Sequence, residues 1–298
     1  FDPKKIVFVM DHFTPAKVIK SAEIVKQCRE FADKHGIRFY DVGRAGIQHI
    51  LLPEQGLVAP GDLIAGADSH TCTHWFVGAF GTGICSTDAA VAMAIGEMWM
   101  KVPESVKFVY HGKLPKWVGG KDLILHTIAL VGVEGARYQA MEFTGETVDN
   151  MGMSDRFSMA NMAIEAGAKA GLFAADERTR AYVRARGRDD GLYLQSDADA
   201  EYAAVYEIDV SNFEPFVAVP FIPENVKPVS ELNELEINQV VIGICTNGNL
   251  EDLRAAAEIL KGRKIHPRVR AVINPGSQKV YLDALREGLI EIFIEADC

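Results

Sequence analysis

Imidazole, carboxylate and thiol side chains recur in this chain directly behind short apolar runs. Asp11 and His12 follow the run 6–10, and His49 follows a glycine-containing turn at 43–46. Asp68, Ser69 and His70 come after a run ending at Ala65, with Thr71, Cys72, Thr73 and His74 behind them. Cys245, Thr246 and Asn247 follow the run 240–244, and Gly248 then lets the chain turn. Imidazole beside carboxylate handles protons near neutral pH, and a thiolate is a soft metal donor. Asn161 and Glu165 lie four residues apart in a stretch otherwise made of Ala, Met, Ile and Gly. Such a helix is expected to be buried, so its carboxylate needs a partner, and a histidine is a natural one. Singly, each of these residues has an ordinary structural explanation: a turn, a surface histidine, a small buried cysteine, a polar helix face. Together they describe several carboxylate–imidazole pairs and one thiolate, which suits acid–base chemistry beside a metal. Small residues at 65–67 and 78–83 would let a ligand approach the backbone closely. The residues alone leave a hydrolase, an isomerase and a lyase open.

The elements that must hold these residues alternate in type. The pattern predicts strands at 5–10, 37–42, 62–65 and 106–110, and helices at 15–35, 87–101 and 121–131. A further helix is expected at 158–170. A charged, Arg-rich surface excursion is expected at 176–199, and an extended linker where four prolines fall between 215 and 228. A second α/β unit then follows: strands at 240–244 and 269–273, helices at 249–261 and from the turn at 275–277 to 287, and a last strand at 290–294. This rhythm predicts an α/β architecture with at least partly parallel sheets. The boundary is expected near residue 230. That makes 1–229 the part carrying most acid–base residues and 230–298 the part carrying Cys245.

The bulk properties narrow the function. The 298 residues carry a formal charge of −10, which gives no general attraction for nucleic acid or an anionic membrane. No stretch is long and apolar enough to predict a membrane-spanning helix. Five cysteines at irregular spacing, without a Cys-x-x-Cys pair, argue against a disulfide framework and for a reducing, cytoplasmic setting. The chain begins at Phe1 and stops at Cys298 just after the expected last strand, so both ends are expected to be cut.

Several segments, in the same order along the chain, are similar to the aconitase superfamily. Ala-Asp-Ser-His-Thr-Cys-Thr-His at 67–74 resembles its most recognisable motif, and Phe-Gly-Thr-Gly-Ile-Cys-Ser-Thr-Asp at 80–88 its continuation. Asn161-Met162-Ala163-Ile164-Glu165, Asn225-Val226-Lys227-Pro228-Val229 and Cys245-Thr246-Asn247-Gly248 complete the run. The resemblance implies three-layer α/β/α domains with mixed, largely parallel sheets. It implies a hydro-lyase that moves a hydroxyl between neighbouring carbons of a hydroxy-di- or tricarboxylate, with isopropylmalate of the leucine pathway first and homoaconitate or dimethylmalate as alternatives. It implies a 4Fe–4S cluster on three cysteines, acting as a Lewis acid at an open iron. Cys245 matches the first ligand, and the family's other two lie in a Cys-x-x-Cys pair shortly after the position of Cys298, so this chain is expected to hold an incomplete site.

By the same resemblance three acid–base pairs carry over: Asp11 with His12, Asp68 with His49, and Glu165 with His70. Ser69 and Asn161 match residues lining substrate or cluster, and Asn247 a residue beside the first cluster cysteine. The implied partner is a small subunit, the swivelling domain, which supplies the serine base and selects the substrate's side group. Ile50, Trp75, Phe221 and Ile244 depart from the family pattern and could narrow the site or shift its substrate. A cluster-free, RNA-binding relative is the alternative of another class, and the acidic composition disfavours it.

Overall fold

A computed structural model describes residues 2–298. In chain order the elements are β1 (Val7–Val9), α1 (Ile19–His35), β2 (Arg38–Tyr40), α2 (Gln48–Glu54), β3 (Leu63–Gly66), a 3-10 helix (Ser69–Val77), β4 (Phe80–Gly83), α3 (Ser86–Ile95), β5 (Ser105–His111) and α4 (Gly120–Val131). There follow β6 (Ala140–Thr144), α5 (Glu146–Asn150), α6 (Met153–Met162), a 3-10 turn (Ala163–Ala166), β7 (Ala170–Leu172), α7 (Glu177–Arg184), β8 (Ala204–Asp209), β9 (Phe216–Ala218) and β10 (Val226–Pro228). The chain closes with β11 (Gln239–Ile242), α8 (Leu250–Leu260), β12 (Arg270–Ile273), α9 (Gln278–Arg286) and α10 (Leu289–Glu295). This is a mixed α/β protein in which every sheet among the described residues is parallel except the β9–β10 hairpin.

Two compact units share the chain, and they interleave. One gathers Phe1–Leu52, Ser86–Trp99 and Ile237–Cys298; the other gathers Pro53–Cys85 and Met100–Glu236. A single cut near residue 230 therefore does not describe them. The Cys245 segment clusters with the first 52 residues, while the Asp68 and Glu165 segments share the other unit. Hydrophobic periodicity finds elements but carries no record of which distant ones pack together.

In the first unit two parallel strand pairs, β1–β2 and β11–β12, supply the carboxyl ends behind which the polar residues fall. Helix α1 stops at Gly36, whose φ of 68° closes the helix in the left-handed conformation. The last element is a helix, not the strand expected at 290–294. The unbroken apolar run is ambiguous by itself, but Leu289, Phe293 and Ala296 are buried at spacings of four and three, which is a helical stripe packed against α8 and α9.

In the second unit a four-stranded parallel sheet runs β7–β6–β5–β8. Val106, Phe108 and Tyr110 alternate into the core from β5, and the Tyr110 hydroxyl meets Thr127 Oγ1 of α4 at 2.6 Å. Helix α6 is enclosed: every residue from Arg156 to Met162 is buried. The expected helix at 158–170 is thus displaced. It starts at Met153, ends at Met162, and gives way to the 3-10 turn and then β7. The Arg-rich excursion contains α7, and the proline-rich stretch forms the β9–β10 hairpin rather than a plain linker.

Candidate functional site

In the first unit Asp11 sits in the turn after β1. Its Oδ1 meets His12 Nδ1 at 2.8 Å, and its Oδ2 accepts the Gln48 backbone N–H at 2.7 Å. The carboxylate is sheltered at 11% side-chain exposure, while the imidazole stands out at 66%. One carboxylate therefore orients a reachable imidazole and pins the first residue of α2. His49, the next residue, is buried in that helix's first turn.

A run of backbone hydrogen bonds links α2 to the cysteine turn. The Ile47 N–H donates to the Gly276 carbonyl at 2.8 Å, and the Gly276 N–H donates to the Gly248 carbonyl at 2.8 Å. A Cβ on Gly276 would lie 2.3 Å from Ile50 Cδ1 and 2.7 Å from the Gly248 oxygen, so close approach requires glycine here. Cys245 is half-buried three residues beyond β11, with Sγ 3.8 Å from Thr246 Oγ1. The Asn247 amide donates to Asp252 Oδ1 at 2.8 Å, while Asp252 Oδ2 accepts the Asn249 N–H at 2.9 Å. Asp252 thus caps α8 and fixes Asn247 in one stroke. An acidic residue three positions after an Asn N-cap was a sequence signal that could have found it.

In the second unit Asp68 is the N-cap of the 3-10 helix, its Oδ1 accepting the His70 N–H at 2.7 Å. His70 is held on both ring nitrogens. Nδ1 lies 3.1 Å from Ser69 Oγ, and Nε2 lies 3.3 Å from Glu165 Oε1. The hydrogen bond from His70, opposed in part by burial, holds the Glu165 carboxyl below its ordinary range. An imidazole held by a carboxylate on one side and a hydroxyl on the other can take up and release a proton without rotating. Gly81 and Gly83 make this possible: a Cβ would meet the Thr71 oxygen at 2.2 Å at the first and the Asp68 oxygen at 2.7 Å at the second.

Asn161 and Glu165 do not share a helix face. Asn161 is fully buried in α6, its amide donating to Thr73 Oγ1 at 2.9 Å, and Glu165 sits in the following 3-10 turn. The break after Met162 aims the two side chains at different partners. The expected pair Asp68 and His49 is divided between the units, His49 in the first and Asp68 in the second. Of the departing residues, Ile50 is a packing residue against Gly276, and the Trp75 indole donates to the Gly81 carbonyl at 3.2 Å. Ile244 is exposed, and Phe221 is completely so.

Cluster binding needs several thiolates together. Among the described residues no group of three or more His, Cys, Asp or Glu stands ready to hold a metal ion. Cys72 is no candidate donor: burial pushes its thiol up to about 12, and Sγ donates to the Ala160 carbonyl at 3.3 Å. Cys245 is the donor that the resemblance assigns, and among the described residues it belongs to no group of three or more such side chains.

Parallel strands with histidine–carboxylate pairs behind the carboxyl ends of β1 and β3 define an α/β protein with candidate acid–base residues. The profile of the aconitase family (aconitate hydratase) matches residues 7–298, and the chain belongs to that family. It is 60% identical to the 3-isopropylmalate dehydratase large subunit of Thermodesulfovibrio yellowstonii over 99% of this chain and 70% of that one. The large subunit of the same name from Moorella thermoacetica matches to the same extent, and that from Aquifex aeolicus is 56% identical over 100% of this chain and 70% of its own. Among solved structures, aconitase X of Thermococcus kodakaraensis in its holo form superimposes with a TM-score of 0.53 at 14% identity, covering 98% of this chain and 76% of that one. That likeness shows a shared fold.

Proposed function

We propose that this chain is the large subunit of a 3-isopropylmalate dehydratase, a hydro-lyase that isomerises 2-isopropylmalate to 3-isopropylmalate by dehydration and rehydration. The observation that carries this is near-complete coverage at 60% identity by relatives of that name. No helix among the described residues is long and apolar enough to cross a membrane.

In this reading the chain's own residues move protons. His70, held between Ser69 and Glu165, protonates the departing hydroxyl, and the ionised Glu165 stabilises the imidazolium that precedes the transfer. Asp11 orients His12 as a second acid–base pair, and the resemblance gives Asp68 and His49 proton-handling roles as well. Ser69 and Asn161 match positions that line substrate or cluster, Asn161 from a fully buried place in α6, and Asn247 stands beside Cys245. The 4Fe–4S cluster that the family implies would be held by Cys245 together with two further thiolates and would supply a Lewis acid for the substrate hydroxyl. A small subunit supplies the base that takes the carbon-bound proton and selects the substrate's side group.

The test is anaerobic cluster reconstitution of the chain together with its small subunit. Formation of the unsaturated intermediate is followed by absorbance on isopropylmalate, homoaconitate, dimethylmalate and citrate. Turnover fastest on isopropylmalate is the expected result. Preference for another of these acids would reassign the substrate, and no turnover of any would overturn the lyase assignment.

A further inference from the structure

We propose that Thr73 is a positioning residue of the active site, its single hydroxyl setting both the His70 backbone and the Asn161 carboxamide. The proposal rests on the hydro-lyase reading for its effect on turnover, but its structural content stands apart from it. Thr73 is completely buried in the 3-10 helix, as is Asn161 in α6. Thr73 Oγ1 donates to the His70 carbonyl at 2.5 Å and accepts the Asn161 Nδ2–H at 2.9 Å.

A threonine hydroxyl has one proton, and here it is committed to the His70 carbonyl. Its oxygen can then only accept from Asn161, so the nitrogen of the carboxamide faces Thr73 and the oxygen points the other way. Thr73 thereby chooses the face that Asn161 presents. The neighbouring Cys72 thiol holds the backbone of the same helix end, reaching the carbonyls of Ala160 and Asn161 at 3.3 and 3.6 Å. Consecutive residues of one 3-10 turn thus clamp Asn161 by backbone and by side chain. The other contact of Thr73 fixes the peptide of His70, whose imidazole meets Glu165 on the far side. A valine has nearly the same shape but removes one hydrogen bond from the buried Asn161 amide and one from the His70 carbonyl. Loss of an outer hydrogen-bond partner of this sort typically costs about 10–100-fold in activity.

The experiment compares wild type, T73V, T73S, N161A and the double variant T73V/N161A, each assembled with the small subunit and reconstituted. T73V should lose about 10–100-fold in kcat, T73S should recover most of it, and the double variant should lose less than the two single losses combined, because only the His70 share of the Thr73 effect remains in N161A. Wild-type kcat in T73V, or strictly additive losses in the double variant, would overturn the proposal. A second arm needs no activity and no valine variant. In the substrate-free wild-type chain, NMR should show the Asn161 side-chain amide exchanging far more slowly than those of exposed asparagines, and T73S should keep that protection. Fast exchange in wild type would overturn the proposal even if turnover is normal. Slow exchange in an inactive wild-type complex would leave the clamp standing while the lyase reading fails.

Discussion

Replacing Glu165 with glutamine separates charge from shape at the His70 pair. The amide can still bond to His70 Nε2, but it cannot stabilise an imidazolium. If the pair transfers a proton in the reaction, kcat should fall by about 10²–10⁴-fold, the usual worth of a positioned acid–base group. That is roughly 3–5 kcal/mol of barrier at about 1.4 kcal/mol per tenfold. Folding should barely notice. The two side chains are 24% and 35% exposed and 3.3 Å apart, so the ion pair is screened and contributes no more than about 1 kcal/mol. In a unit of this size that shifts Tm by about 2–4 °C. The pH dependence has a definite sign. Glu165 is held below its ordinary value of 4.5 in the folded protein, so its contribution is full above that value and fades as pH falls through the lowered one. The stability gap between wild type and E165Q should therefore close in acid. Absorbance of the unsaturated intermediate gives kcat, and urea melts across pH give the gap. Wild-type kcat in E165Q would refute the acid–base role. A loss of several kcal/mol in stability at neutral pH would show instead that the carboxylate is structural.

Further outcomes follow from packing and burial. Arg156 is 2% exposed and bonded to Asp176 Oδ2 at 2.6 Å, so D176N should cost about 2 kcal/mol or more by stranding a buried cation, measured by chemical denaturation. D176A should cost about 1 kcal/mol beyond that, because Asp176 Oδ1 also caps α7 through the Thr179 N–H. G276A should destabilise by about 1–3 kcal/mol through overpacking against Ile50 and the Gly248 carbonyl, and I50V should recover part of it in the double variant. Iodoacetamide at neutral pH should label the exposed Cys85 and leave Cys72 unmodified until the protein is unfolded, as read by mass spectrometry. Because the Cys72 thiol is raised by burial, the stability it contributes should fade as pH climbs above the ordinary thiol value of 9.0.

Much of the chemistry was legible because it is local. Asp11 and His12 are chain neighbours, and a turn after a strand is enough to bring their side chains to 2.8 Å. Gly36 at the end of α1 is likewise signalled by residue type at the element it terminates. β6 and β8 are absent from the strands the pattern predicts: β6 is covered in a parallel sheet, where Ala140 to Phe143 are all buried and alternation is lost, whereas β8 is the edge strand and its exposure does alternate. The helix at 158–170 failed because the change from α6 to a 3-10 turn is set by packing around Asn161 and not by any breaker residue before Gly167.

The sequence by itself determined the parallel α/β class, the donors, and the local turns that expose them. Each of these depends on residue type and near-neighbour spacing. Tertiary structure alone decided which donors meet. Glu165 reaches His70 across 95 residues of chain, and Arg188 reaches Asp62 across 126. It also decided that Cys245 clusters in one unit with Asp11 and His49, while Asp68, His70 and Glu165 share the other. Such pairings arise from burial and hydrogen-bond satisfaction of whole elements, terms that sum over many contacts and leave no mark at any single position.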